Sequence, residues 1–302
     1  MAAALHVIHE TRYRYGAQVD VAFHVAHLTP RSDAAQHLDA FELKITPQPS
    51  ERSPLRDTFG NERTAFAIHT PHEELTVRAE SRVRVDDRVA NLDPAASPAW
   101  ESVRDALRYT ARAPIVAAAE FVYPSTFVPL HAELRDYAKA SFSADRPLLA
   151  AAIELMHRLH EDITYASGAT EISTPVLEAF DAREGVCQDI AHMMIGALRA
   201  LGLPARYVSG YLLTQAPPGQ PRLLGADASH AWVQVWTEPS GWLDLDPTND
   251  RIVNTGHVQL AIGRDYGDVV PLRGVIHGGG EHELEVAVSV VPARERAAAT
   301  RA

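Results

Sequence analysis

The chain contains a single cysteine, Cys187, at the point where a loop gives way to a helix. From Ile190 the apolar residues Ile190, Ala191, Met194, Ala197, Leu198 and Leu201 recur at the spacing of a helix with one buried face. Gly202 and Pro204 then form a stop signal, because glycine takes the left-handed cap and proline cannot continue the turn. The thiol is therefore expected in the first turn of a core helix, where unpaired backbone N–H groups and the helix dipole favour an anion. A thiolate is such an anion, and it is the form of cysteine that attacks an acyl carbon. The bland alternative is a buried thiol serving as a small hydrophobe.

A second stretch favours chemistry. Ser229 to Asp250, SHAWVQVWTEPSGWLDLDPTND, reads as a hairpin turning at Thr237–Gly241. Strand parity puts His230, Trp232, Gln234 and Trp236 on one face, and Trp242, Asp244 and Asp246 together on one face of the return strand. If the apolar faces coincide in the core, the histidine and both aspartates fall on the same side. His230 and Asp246 both lie far from the turn, so antiparallel pairing makes them neighbours, directly or diagonally opposite. Asp244 lies one step nearer the turn and is the weaker partner. An imidazole beside a thiolate holds the ion pair and later protonates the leaving group, and a carboxylate on its other nitrogen fixes tautomer and orientation. Each residue alone fits a surface hairpin with an incidental histidine; together with the lone cysteine at a helix start they fit a nucleophilic site.

The remaining elements must carry these two stretches. From Leu5 to about Val85 apolar and polar residues alternate, as in Phe41, Leu43, Ile45 and in LTVRAESRVRV, with breaks at Pro47, Pro49, Pro54 and Phe59–Gly60–Asn61. That pattern predicts short antiparallel strands with one wet face. The histidines of this region (His6, His9, His24, His27, His37, His69, His72) share no metal-ligand spacing. NLDPAASP, 91–98, reads as a linker. Helical patterns follow over Trp100–Tyr109, Leu130–Phe142 and Pro147–Ile163, then a loop from Tyr165 to Thr174 and a short helix at Val176–Phe180. His157, His160 and Glu161 on the third pattern lack the H-E-x-x-H spacing of a zinc helix and read as a solvated face. Ala205–Leu213 is strand-prone, Gln215–Gln220 is an exposed loop, and Leu284, Val286, Val288 and Val290 alternate in a final strand expected to return to the N-terminal β-region. The tail from 293 is expected to be disordered.

Composition narrows the class. The chain has 302 residues, 46% hydrophobic and 22% charged, with a formal net charge of −11 and no basic stripe. This argues for a globular protein and against a nucleic-acid partner. No apolar run approaches the ~20 residues of a membrane helix, and the N-terminus lacks a basic leader before an apolar core, so a cytoplasmic protein without membrane association is expected.

The run G-V-C-Q-D, the helix end L-R-A-L-G-L-P-A-R, then Y-V-S-G-Y, S-H-A-W-V and G-W-L-D-L-D-P-T-N resemble the bacterial transglutaminase-like cysteine proteins of the transglutaminase and papain-like superfamily. The resemblance extends to the N-terminal region and, through G-R-D-Y-G-D-V, to the C-terminal end. It implies an α+β protein: a papain-like, transglutaminase-core fold with the nucleophile helix on an antiparallel sheet, over 99–270. A small all-β domain over 1–90 would precede it, and 271–292 would return to that domain. It implies Cys187 as nucleophile, His230 as general base and acid, and Asp246 as orienting carboxylate. The Cys187 N–H is a natural oxyanion donor; Gln188, Tyr165 and Trp232 are the open choices for a second donor or a substrate contact. No D-x-[DN]-x-[DN]-G calcium loop is present, and neither metal nor cofactor is expected. The expected reaction is hydrolysis of a peptide, isopeptide or other amide bond through a thioester, on a peptide or protein substrate. The rivals are acyl transfer to an amine and, in another class, a catalytically silent binding protein.

Overall fold

The computed structural model describes residues 2–90, 92–109, 111, 116–214 and 229–293. Its first strand, β1 (Ala3–Ala26), runs for 24 residues. β2 (Gln36–Thr46), β3 (Glu51–Arg56), β4 (Glu62–Ile68) and β5 (His72–Val85) follow it. β5 pairs with the first half of β1, β4 with its last residues, and β2 and β3 extend the sheet outward. Alternation puts Leu5, Val7, Leu75, Val77, Val83 and Val85 into one buried cluster. Pro54 falls in the edge strand β3, where a missing N–H breaks no essential ladder bond.

Both C-terminal strands lie in this sheet. β13 (Leu272–Gly278) and β14 (His282–Pro292) are antiparallel to β1, with Leu272 opposite Ala26 and Pro292 opposite Leu5. Sequence alternation exposes only the second of them, because β13 carries no clean period. Gly278, Gly279 and Gly280, all at positive φ, turn the chain between the two. The seven strands form one sheet around β1. The 91–98 segment contains a single 3-10 turn at Pro94–Ala96, capped by Asp93. The Gln215–Gln220 loop, and the tail beyond 293, lie outside the described residues.

The helices α1 (Trp100–Ala106), α2 (Ala132–Lys139), α3 (Leu148–Asp162), α4 (Val176–Ala182) and α5 (Cys187–Ala200) form the second layer. Two short strands, β6 (Thr164–Tyr165) and β7 (Glu184–Gly185), pair in parallel, and beyond Tyr165 the chain up to Thr174 is the loop read from composition. Among the described residues no helix is long and apolar enough to cross a membrane. Their partner is a five-stranded antiparallel sheet in the order β11 (Arg251–Ile252), β10 (Gly241–Asp246), β9 (Ser229–Thr237), β8 (Ala205–Leu212), β12 (His257–Gly263). α5 differs from the sequence expectation: Asp189 to Arg199 is buried without interruption, not on one face only. The sheet covers one side, through Tyr207, Ala231 and Val233, while α2, α3 and α4 cover the rest. Gly202, at φ +81°, ends the helix run as the stop signal requires.

The far face of the five-stranded sheet rests on the β1 sheet. Tyr211, Val258 and Leu260 belong to the same buried cluster as Leu5 and Val77, and the Tyr211 hydroxyl meets His9 Nδ1 at 3.0 Å. β12 is the edge strand, and its outward backbone is satisfied by two amide side chains. Gln36 accepts from the Gln259 N–H and donates to its carbonyl, both at 2.8 Å. Asn61 does the same for Ile262, at 2.9 and 2.7 Å. Each amide replaces a missing neighbouring strand, so a buried edge carries no orphaned groups there. This seam fixes the position of β12, and His257 at its start.

Candidate active site

Cys187 is the first residue of α5, with Val186 as the extended N-cap. Its N–H is among those that a helix leaves without an internal acceptor. Asp189, two residues on, accepts the Val186 N–H at 2.8 Å and the Thr170 hydroxyl at 2.6 Å. This buried carboxylate ties the helix start to the loop after β6. It also explains the glycine of the G-V-C-Q-D run, since a Cβ at Gly185 would sit 2.8 Å from the Asp189 Cβ. Local chemistry thus dictates where the sulfur stands.

His230 comes from β9 and Asp246 from the end of β10. The register pairs Asp244 with Gln234 and Leu245 with Val233, so Asp246 lies diagonally across from His230. His230 Nε2 and Asp246 Oδ2 are 2.8 Å apart, and the imidazole lines the same cleft as the Cys187 thiol. With Nε2 turned to the carboxylate, Nδ1 is the nitrogen left to face the sulfur. Asp244 is elsewhere: its Oδ1 accepts from the Trp232 indole, Gln234 and Gln259, at 2.7, 2.8 and 2.8 Å. Parity put the two aspartates on one face, and the register separates their partners.

The Asp246 carboxylate is saturated with donors. Oδ1 accepts the backbone N–H groups of Thr248 and Asn249, each at 3.1 Å. Oδ2 faces His230, the Asn249 amide at 2.8 Å, and His257 Nε2 at 3.1 Å. Burial alone would raise this carboxyl, but hydrogen bonds from His230 and His257, with the imidazolium charge of His230, hold it well below the usual carboxylate range. Burial pulls His230 the other way, disfavouring the imidazolium. The hydrogen bond to Asp246, the neighbouring Cys187 thiol and the charges of both outweigh that and push it up to about 10. The site is therefore arranged to keep a proton on His230 and a negative charge on Asp246.

His257 had no signal in the sequence, and Asn249 lay in the quoted G-W-L-D-L-D-P-T-N run without a role assigned to it. His257 opens a strand whose pairing with β8 is set by the fold, and Asn249 follows a D-P-T run that reads as a plain turn. The three ligand-capable atoms of His230, Asp246 and His257 lie within 4.8 Å of one another, near enough to hold a cation. A cation there would take the carboxylate away from His230, so it would compete with the proton arrangement just described.

The three residues considered for the second donor have different surroundings. Trp232 is fully buried with its indole N–H committed to Asp244, so it points away from the sulfur. The Gln188 amide donates to the Ile172 carbonyl at 3.3 Å. Tyr165 is 54% exposed and lines a cleft of about 310 Å³ with Cys187, Leu212, Thr214, Ser229, His230, Thr248 and Asn249. Partial burial, then the neighbouring Cys187, raise its hydroxyl above the ordinary value. His157 and His160 are exposed, as a solvated face requires, and also touch the turn after Asp246. His160 Nδ1 meets the Thr248 carbonyl at 3.0 Å, and His157 pairs with Asp250.

Residues 5–84 match the model of the bacterial transglutaminase-like N-terminal region, and residues 135–247 match that of the transglutaminase-like superfamily. An uncharacterized protein of Mycobacterium tuberculosis is 43% identical over 294 residues, spanning 95% of this chain and 92% of its own length. A protein-glutamine gamma-glutamyltransferase of Pseudomonas aeruginosa is 33% identical over 132 residues, 40% of this chain and 19% of that protein. The crystal structure of a candidate cysteine protease from Cytophaga hutchinsonii superposes with a TM-score of 0.73 at 19% identity, covering 97% of this chain and 91% of that one. At that identity the likeness speaks for the fold.

Proposed function

Since the chain belongs to the transglutaminase-like superfamily of thiol enzymes, we propose that it cleaves an amide bond of a peptide or protein through a thioester on Cys187. The observation that carries this reading is the His230 Nε2 bond to Asp246 at 2.8 Å in the cleft that His230 shares with Cys187. In it, the Cys187 thiolate attacks the amide carbon while the His230 imidazolium protonates the departing nitrogen. The imidazole, now neutral, takes a proton from water, and the resulting hydroxide attacks the thioester and releases the acid. Asp246 holds the ring and its charge throughout. The Cys187 N–H at the helix start is the first oxyanion donor, and the Tyr165 hydroxyl in the same cleft is the second.

Acyl transfer to an amine is the second reading, favoured by the glutamyltransferase name of the Pseudomonas relative. It shares the first half-reaction and differs in what resolves the thioester. The test is to incubate the protein with a library of blocked peptides, with and without a primary amine, and weigh the products. Free acid whose formation is lost in Cys187→Ala and His230→Ala supports hydrolysis; mass gained from the amine supports transfer. No Cys187-dependent product, together with alkylation that rises only near the ordinary thiol value of about 8.5, would move the protein into the class of binding modules.

A further inference from the structure

Asp246 serves two imidazoles, and the triad needs only one. We infer that His257 is a positioning residue for the Cys187–His230–Asp246 site: it fixes the carboxylate that orients His230 and takes a share of its negative charge. The inference rests on the triad reading above and deepens it.

Geometry leaves His257 this single polar task. It is 1% exposed, and its Nε2 lies 3.1 Å from Asp246 Oδ2. Its Nδ1 is buried without a partner. An ionised carboxylate only accepts, so Nε2 carries the proton and donates it to Asp246, and the neutral ring leaves Nδ1 bare. An apolar side chain would fill the same place without the desolvated nitrogen. The ring also stands edge-on to Trp232, at 5.3 Å and 77°, which locks its plane. Because Thr248 and Asn249 hold Oδ1 from the backbone, Oδ2 is the oxygen left for both imidazoles. Without His257 that oxygen loses one of three side-chain donors, and the carboxylate gains freedom to rotate away from His230.

The titratable groups facing this centre are Cys187 from α5, Tyr165 from β6, Tyr207 from β8, His230 from β9 and Asp246 from β10; β8 places the apolar Leu212 opposite His257. The position of His257 depends on β12, which the Gln36 and Asn61 side chains clamp to the β1 sheet. The N-terminal domain therefore reaches the active site through one strand.

The test uses the full-length protein and its single cysteine: the rate of Cys187 alkylation by iodoacetamide against pH, read by intact mass. His257→Leu removes the donor, and His257→Gln keeps an N–H near the place of imidazole Nε2. The leucine variant should react at least fivefold more slowly at pH 6–7, with its low-pH limb displaced toward that of a free thiol. The glutamine variant should return to within twofold of the unaltered protein. A leucine profile that overlays the unaltered one, or a glutamine variant as slow as leucine, overturns the inference. If the leucine variant does not fold, the long-range nitrogen–proton NMR spectrum of the histidine-labelled unaltered protein decides. His257 must carry its proton on Nε2, and a proton on Nδ1 refutes the role. His230→Ala separates the two levels: if it leaves the low-pH limb in place, the triad reading itself fails, whatever His257 does.

Discussion

Replacing Asp246 by asparagine should strip His230 of the charge that keeps it protonated. The carboxylate accepts five hydrogen bonds, three of them on Oδ2, and an asparagine amide would turn an N–H₂ toward one or more of those donors. Burial, which disfavours the imidazolium, would then act with less opposition, and His230 should fall from about 10 to its ordinary 6.5 or lower. At about 1.4 kcal/mol per pH unit, a fall from about 10 to 6.5 corresponds to about 5 kcal/mol. The sign for stability follows from the direction. A histidine raised in the folded state contributes stability that is complete below about pH 6.5 and is lost as pH rises through about 10. Two assays read it: ring-proton NMR titration of His230, and urea unfolding between pH 6 and 10.5. The unaltered protein should lose several kcal/mol across that window, while Asp246→Asn should show a nearly flat profile there and alkylate Cys187 at least tenfold more slowly at pH 6. A His230 that still titrates near 10 in Asp246→Asn would refute the reasoning, because the proton would then be held by something other than the carboxylate.

Asp189→Ala removes the side chain that caps the helix beginning at Cys187 and anchors Thr170. It should cost about 1–2 kcal/mol in urea unfolding and slow alkylation of Cys187, and an unchanged midpoint would show that the cap is dispensable. Asn61→Leu leaves the Ile262 N–H and carbonyl buried and unpaired at the edge of β12. A loss of about 2–4 kcal/mol is expected, with faster amide exchange along β12; exchange no faster than in the unaltered protein would place the strength of that seam elsewhere.

The sequence alone fixed what can be settled by short-range rules. Helical spacing and the Gly202–Pro204 stop placed Cys187 at a helix start, and the structure has it as the first residue of α5. Period-two alternation identified the β9–β10 hairpin and put His230 and Asp246 on one face, now 2.8 Å apart. A local pattern carries this much because period and turn chemistry act over a few residues. Tertiary structure decided what lies beyond that range. The burial of α5 on all sides comes from three other helices, which an apolar count on one helix cannot reveal. His257 reaches Asp246 only because β12 pairs with β8 and is clamped by Gln36 and Asn61, about 220 and 200 residues away in the chain. His157 and His160 do lie on a solvated face, but their contacts with the turn at Thr248–Asp250 cannot be read from either segment alone. Each of these contacts joins segments whose sequence patterns are independent. Only the closing of the chain, with the loop entropy it costs and the buried surface that offsets it, brings them together.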